Sequence, residues 1–212
     1  MSNYEIRAKS RQDLGGNIFN NKWMMALLVC LIYSLIVGVC AATGIGSIAL
    51  LLITGPLNVG LFGYFMKLTR VETPSIENLF DGFKDFAQNF LLSLMISIFT
   101  FLWTLLFIIP GIVKAYAYSM AYYIKHDNPA YDWKQCIDES KARMDGHKWE
   151  LFCLHFSFIG WAILCIFTFG IGYLWLVPYM QTADANFYEA HIKVNEQPTS
   201  AEFTIDDGTT EG

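Results

Sequence analysis

Six stretches of this chain are strongly apolar, covering roughly residues 23–42, 47–66, 89–109, 111–124, 149–169 and 171–190. Each full-length stretch approaches the ~20 residues that an α-helix needs to cross ~30 Å of hydrocarbon. The core helices of a soluble bundle alternate with a polar face, whereas Trp23 to Ala42 carries no charge at all. Thirteen of the 14 Lys and Arg residues lie outside these stretches, and they fall in alternate gaps. Arg7, Lys9, Arg11 and Lys22 precede the first stretch. Lys67, Arg70 and Lys84 follow the second, and Lys125, Lys134, Lys141, Arg143 and Lys148 follow the fourth. The turns after the first, third and fifth stretches carry none. Positive charge stays on the cytoplasmic side, so this pattern predicts six crossings with both termini inside.

The net charge of −5 comes from the end of the chain. Glu196, Glu202, Asp206, Asp207 and Glu211 lie in residues 195–212 without a Lys or Arg, and the remainder is balanced. We read 195–212 as an acidic disordered cytoplasmic tail and 1–194 as a single polytopic domain. With no net basic face, nucleic acid is not an expected partner. The first stretch is longer than the core of a signal peptide and follows a long leader, which predicts a retained anchor. Val37-Gly38-Val39-Cys40 fails as a lipoprotein cleavage site because Val39 stands where a small residue is wanted. Cys30, Cys40, Cys136, Cys153 and Cys165 form no C-x-x-C pair, so neither a disulfide framework nor a metal site is expected. Gly44-x-Gly46-x-x-Ala49 matches a dinucleotide fingerprint but lacks the preceding strand that motif needs.

The stretches pair into three tandem hairpins, at about 23–66, 89–124 and 149–190. Trp23 to Gly44 and Trp149 to Gly170 have equal spacing, and Gly44-Ile45-Gly46 matches Gly170-Ile171-Gly172. Pro110-Gly111 supplies the middle turn. The expected class is an all-α membrane protein of six transmembrane helices with cytoplasmic amphipathic interfacial helices. Ile76, Leu79, Phe80, Phe83 and Phe86 recur at helical spacing after Thr73-Pro74, which predicts a helix lying in the interface with its Phe face in lipid. Trp133, Cys136, Ile137, Ser140 and Met144 form a similar stripe that Gly146 ends. The N-terminal segment with Ile6, Leu14 and Ile18 is a weaker candidate, interrupted by Gly15 and Gly16.

Leu105 to Ile112, Tyr118-Ser119-Met120, Gly146-His147-Lys148-Trp149, Ser157 to Trp161, Gly170-Ile171-Gly172, Pro178-Tyr179-Met180 and Ala185 to Glu189 are together distinctive. On these residues the chain resembles the domain-of-unknown-function 975 family of bacterial integral membrane proteins. The resemblance implies a protein of the bacterial cytoplasmic membrane. It implies no activity and no functional residues.

Polar groups inside the apolar stretches are few, and each costs ~2.5–3.5 kcal/mol or more near mid-bilayer. Lys114 lies close to the outer turn and is read as an anchor that snorkels outward, or as a contact for an anion or headgroup. Asp184 lies ~18 Å and His155 ~22 Å below the outer turn of an antiparallel hairpin. The two are thus within one turn in depth, either paired or both facing the cytoplasmic interface. Tyr179, Thr182, Asn186 and Glu189 form a polar stripe on the last helix, facing protein or a wet crevice. Asn58 beside Gly55-Pro56 marks a candidate helix break of the kind that lines some transport sites.

No nucleophile motif, paired intramembrane carboxylate, metal-ligand spacing or phosphate loop is present, so neither an enzyme nor a cofactor is expected. Two functions remain open. The first is a non-enzymatic scaffold or accessory factor binding lipid, a protein partner or a second copy of itself. The second is a small transporter or export factor for an apolar or amphipathic compound.

Overall fold

In the computed structural model, residues 1–16, 20–42, 46–70, 72–168, 170 and 172–193 are described, with the backbone alone for 46–49 and 108. Ile18, Gly44, Ile45, Ile171 and the acidic tail 195–212 lie outside the described residues. The described residues are helical and contain no strand. Four helices are long and apolar enough to cross a membrane: Asn21–Ala42, Leu50–Thr69, Ile76–Leu106 and Lys148–Phe167.

The N-terminal helix α1 (Asn3–Asp13) is set by its first residues. Glu5 N–H donates to Ser2 Oγ at 3.3 Å and Ser2 N–H donates to Glu5 Oε2 at 2.8 Å, a reciprocal cap. Helices α2 (Asn21–Ala42) and α3 (Gly46–Thr69) form the first apolar pair. Helix α3 is the hub. It packs on α2, on the 3-10 segment that follows it and on the helix Phe86–Leu106, and 56% of its apolar window is buried against 11% for α2. It runs unbroken through Pro56, so the expected break at Asn58 is absent; Tyr33 donates to Asn58 Oδ1 at 2.8 Å and ties α2 to α3 there.

Residues Ile76–Asp85 form a 3-10 helix, not the α-helix the spacing predicts, and they begin after Ser75. Three residues per turn stack Ile76, Leu79 and Gly82 in one row and Phe80, Phe83 and Phe86 in the next. The first row faces α3, so Leu79 is fully buried and makes no lipid contact. Phe80 and Phe86 are exposed, and Ile76 and Phe83 pack half-buried against the core. The rings of Phe80, Phe83, Phe86 and Phe90 follow one another at 6.1–6.3 Å.

Helix α4 (Phe86–Leu106) turns at Phe107, which is extended, into α5 (Ile108–Tyr118). The turn precedes Pro110 because proline, lacking an N–H, fits the first turn of a helix. The fourth apolar stretch is interrupted at Ser119-Met120 before α6 (Ala121–Asp127). In α7 (Trp133–Arg143) the stripe Cys136, Ile137 and Ser140, continuing to Met144, is buried in protein and not in an interface. Ser140 Oγ reaches the Ala117 carbonyl at 2.8 Å, which fixes α7 on α5. Gly146, at φ +84°, closes the turn before α8 (Lys148–Phe167). The last helix α9 (Tyr173–Phe187) widens into a π-helical turn over Tyr188–Ile192.

Away from this packed end the helices expose large apolar side chains. Leu105 is 73% exposed, Ile109 77% and Phe167 79%. Contiguous apolar surface of this kind is unfavourable in water.

Candidate functional site

The helical rise brings His155 on α8 and Asp184 on α9 to the same level, and their side chains meet. His155 Nε2 lies 2.8 Å from Asp184 Oδ1, and Tyr116 Oη on α5 lies 3.3 Å from His155 Nδ1. With Nε2 donating to the carboxylate, Nδ1 accepts the phenol hydrogen, and the chain Tyr116–His155–Asp184 satisfies each member. It spans three helices. Mutating both His155 and Asp184 to Ala should give a coupling of about 1 kcal/mol, within the range of intramembrane hydrogen bonds. Additive losses in an unfolding double-mutant cycle would remove the pair from the stability account.

The polar stripe of α9 is engaged by α1 and by the packed end. Tyr179 Oη donates to the Arg7 carbonyl at 3.2 Å, and Asn186 Nδ2 donates to Ser10 Oγ at 3.1 Å and Asp13 Oδ2 at 2.8 Å. Thr182 bonds back to the Pro178 carbonyl at 2.8 Å. The stripe therefore faces protein and not a wet crevice. Ile6, Ser10 and Leu14 of the N-terminal segment are fully buried. Their four-residue row and the Ser2-x-x-Glu5 cap were the available sequence signals for this docking.

At the packed end Arg70 reaches both oxygens of Asp127 at 2.7 Å and Glu189 Oε1 at 2.6 Å. Burial pushes the Asp127 carboxyl up, but His126, Arg70 and Lys193 outweigh it and hold the group below the usual carboxylate range. Lys114 is partly buried, with Nζ over the Trp103 ring at 4.9 Å from its centroid. That cation–π contact anchors α5 to α4.

A groove of ≈ 780 Å³ opens between α1, α2, α8 and α9. Trp23, Trp161, Leu164 and Trp175 wall it, while Arg7 and Arg11 lie along α1 at its edge. Among the described residues neither guanidinium has a carboxylate within ion-pair range. Arg7 Nε and Trp175 Nε1 are buried without a hydrogen-bond partner. Buried donors left unpaired are costly, but neither atom is exposed in the groove, which itself presents apolar walls with the two arginines beside them.

These features define an all-helical protein with four membrane-length apolar helices among the described residues and a partly cationic groove. The chain belongs to the family described as protein of unknown function (DUF975), whose profile matches residues 1–117 and 105–195. No curated protein and no solved structure matches the chain.

Proposed function

We propose that this is a non-enzymatic multi-pass protein of the bacterial cytoplasmic membrane, a scaffold or accessory factor that holds an anionic lipid against α1. The groove carries this reading: two arginines, without an ion-pair partner among the described residues, sit beside tryptophan and leucine walls. A phosphate-bearing headgroup answers the first set and acyl chains answer the second. The polar stripe of α9, which would otherwise favour transport, is already bonded to α1. No second reading gains comparable support.

Six crossings accommodate the fold. Helix α2 pairs with α3, the 3-10 segment and α4 pair with α5 and α6, and α8 pairs with α9; each pair is in contact. The α5–α6 stretch, Ile108 to Ile124, and α9 with its π turn each approach the ~30 Å span at ~1.5 Å per residue. In a cysteine-free background, cysteines at Gly46 and Phe107 should label from outside, and those at Lys84 and Arg143 should not. Outside labelling at Lys84 or Arg143 would overturn this threading.

Replacing Arg7 and Arg11 by Gln should weaken retention of anionic phospholipid by roughly thirtyfold, taking ~1 kcal/mol for each basic side chain. Native mass spectrometry after exchange into mixed phosphatidylglycerol and phosphatidylcholine reads this directly. Equal retention of the two lipids by the wild-type protein would overturn the lipid assignment.

A further inference from the structure

His147, Glu150 and His191 are far apart or unremarkable in sequence, but the fold gathers them at one point. His147 immediately precedes α8, Glu150 lies in its first turn, and His191 lies in the π turn that ends the last helix. Glu150 Oε2 is 2.9 Å from His147 Nδ1 and 3.5 Å from His191 Nδ1. One nitrogen from each ring and a carboxylate oxygen all fall within 4.8 Å of one another.

The hydrogen-bond arithmetic at His191 exposes a mismatch. Its Nε2 lies 3.0 Å from the Met1 carbonyl oxygen, which can only accept, so Nε2 carries the hydrogen. In the neutral ring Nδ1 then directs a lone pair toward Glu150 Oε2, itself an acceptor. The proton of His147 Nδ1 satisfies its own contact with that oxygen but not this one. Either a second proton on the ring or a metal cation between the three atoms resolves the mismatch. Ligands at ~2.0–2.2 Å around a tetrahedral ion stand ~3.3–3.6 Å apart; Glu150 Oε2 is already 3.5 Å from His191 Nδ1, and His147 Nδ1, at 2.9 Å, would move outward by about half an ångström. A second ring nitrogen donating to a backbone carbonyl is also the usual outer support of a metal-bound histidine.

We propose that His147, Glu150 and His191 bind a divalent transition-metal ion of the zinc class. Two imidazoles and one carboxylate suit zinc and its N/O-binding neighbours and leave a fourth position for solvent. The ion would act as a clasp. The Met1 carbonyl is bonded to His191, and Asn3 Nδ2 donates to the Glu150 carbonyl at 3.3 Å. Loading the site therefore stiffens the attachment of α1 to the ends of α8 and the last helix.

The test uses the full-length protein without an affinity tag, in detergent. Titration with Zn²⁺ by calorimetry should give one site of micromolar or tighter affinity. Co²⁺ should give the intense visible bands of a tetrahedral ion. His147→Ala, His191→Ala and Glu150→Gln should each weaken binding at least tenfold, with circular dichroism checking that each variant stays helical. If a variant misfolds, amide exchange on the wild type serves instead: Zn²⁺ should slow exchange across residues 3–13 severalfold. No binding of Zn²⁺ or Co²⁺ by the folded wild type would overturn the site. So would binding that is unchanged in a folded His147→Ala/His191→Ala variant, or wild-type exchange across 3–13 that ignores Zn²⁺.

Discussion

Replacing Lys125 by Met should destabilise the protein by about 2–4 kcal/mol, because two backbone carbonyls lose a charged donor at ~1–3 kcal/mol each. Lys125 is only 2% exposed, yet it sits on α6 close to a half-exposed Asp85. An ammonium has three N–H donors, and all three are used: Asp85 Oδ2 at 2.6 Å, the Pro129 carbonyl at 2.9 Å and the Tyr131 carbonyl at 2.8 Å. Met keeps the apolar stem and its packing but leaves those acceptors facing each other. Asp85 can turn to water because its side chain is 44% exposed, so the two carbonyls carry most of the loss. Asp85→Asn keeps an acceptor at that point and should cost only about 1 kcal/mol. Arg at position 125 should not rescue, because a planar fork cannot point three donors at convergent acceptors. Reversible unfolding in mixed micelles measures all three. A Lys125→Met variant within 1 kcal/mol of wild type would show that the three bonds are replaced by water.

The common depth of His155 and Asp184 was legible because two antiparallel helices leaving one turn obey simple depth arithmetic, at 1.5 Å per residue, but whether the two paired or both faced the interface was not. The long apolar helices were legible for a similar reason, since hydropathy is a property of consecutive residues. What escaped the sequence lies where distant segments meet. Arg70 finds Asp127 and Glu189, Lys125 finds a loop carbonyl, and α1 finds the last helix; none of these pairings has a period. The 3-10 geometry of Ile76–Asp85 was misread because its apolar residues fit a 3.6-residue period about as well as a 3.0-residue one. Leu79 shows the consequence, since the tighter helix rotates it out of the Phe face and into the core. The middle turn fell at Phe107 and not at Pro110-Gly111 because a proline signals the start of a helix as readily as its end.

Gly60→Ala and Gly82→Ala should each cost about 3 kcal/mol, at the upper end of overpacking, and Gly60→Val should abolish the native fold. A Cβ at Gly60 would overlap the Leu79 carbonyl, and one at Gly82 would overlap the Pro56 carbonyl. In each case the obstacle is backbone, which cannot swing aside as a side chain can. The two glycines therefore set the distance between α3 and the 3-10 segment from both sides, and Asn89 Nδ2 locks the contact by donating to the Gly82 carbonyl at 2.6 Å. In lipid no hydrophobic drive pushes helices together, so close backbone approach at small residues supplies much of the association. Gly160 is the control. It lies on α8 with nothing within 4 Å of its would-be Cβ, and Gly160→Ala should be neutral or stabilise by up to ~1 kcal/mol through helix propensity alone. Thermal unfolding of the three alanine variants side by side distinguishes the cases. Equal midpoints at positions 60 and 160 would mean that α3 and the 3-10 segment are not held at backbone contact, and that the buried row Ile76, Leu79 and Gly82 owes its place to some other constraint.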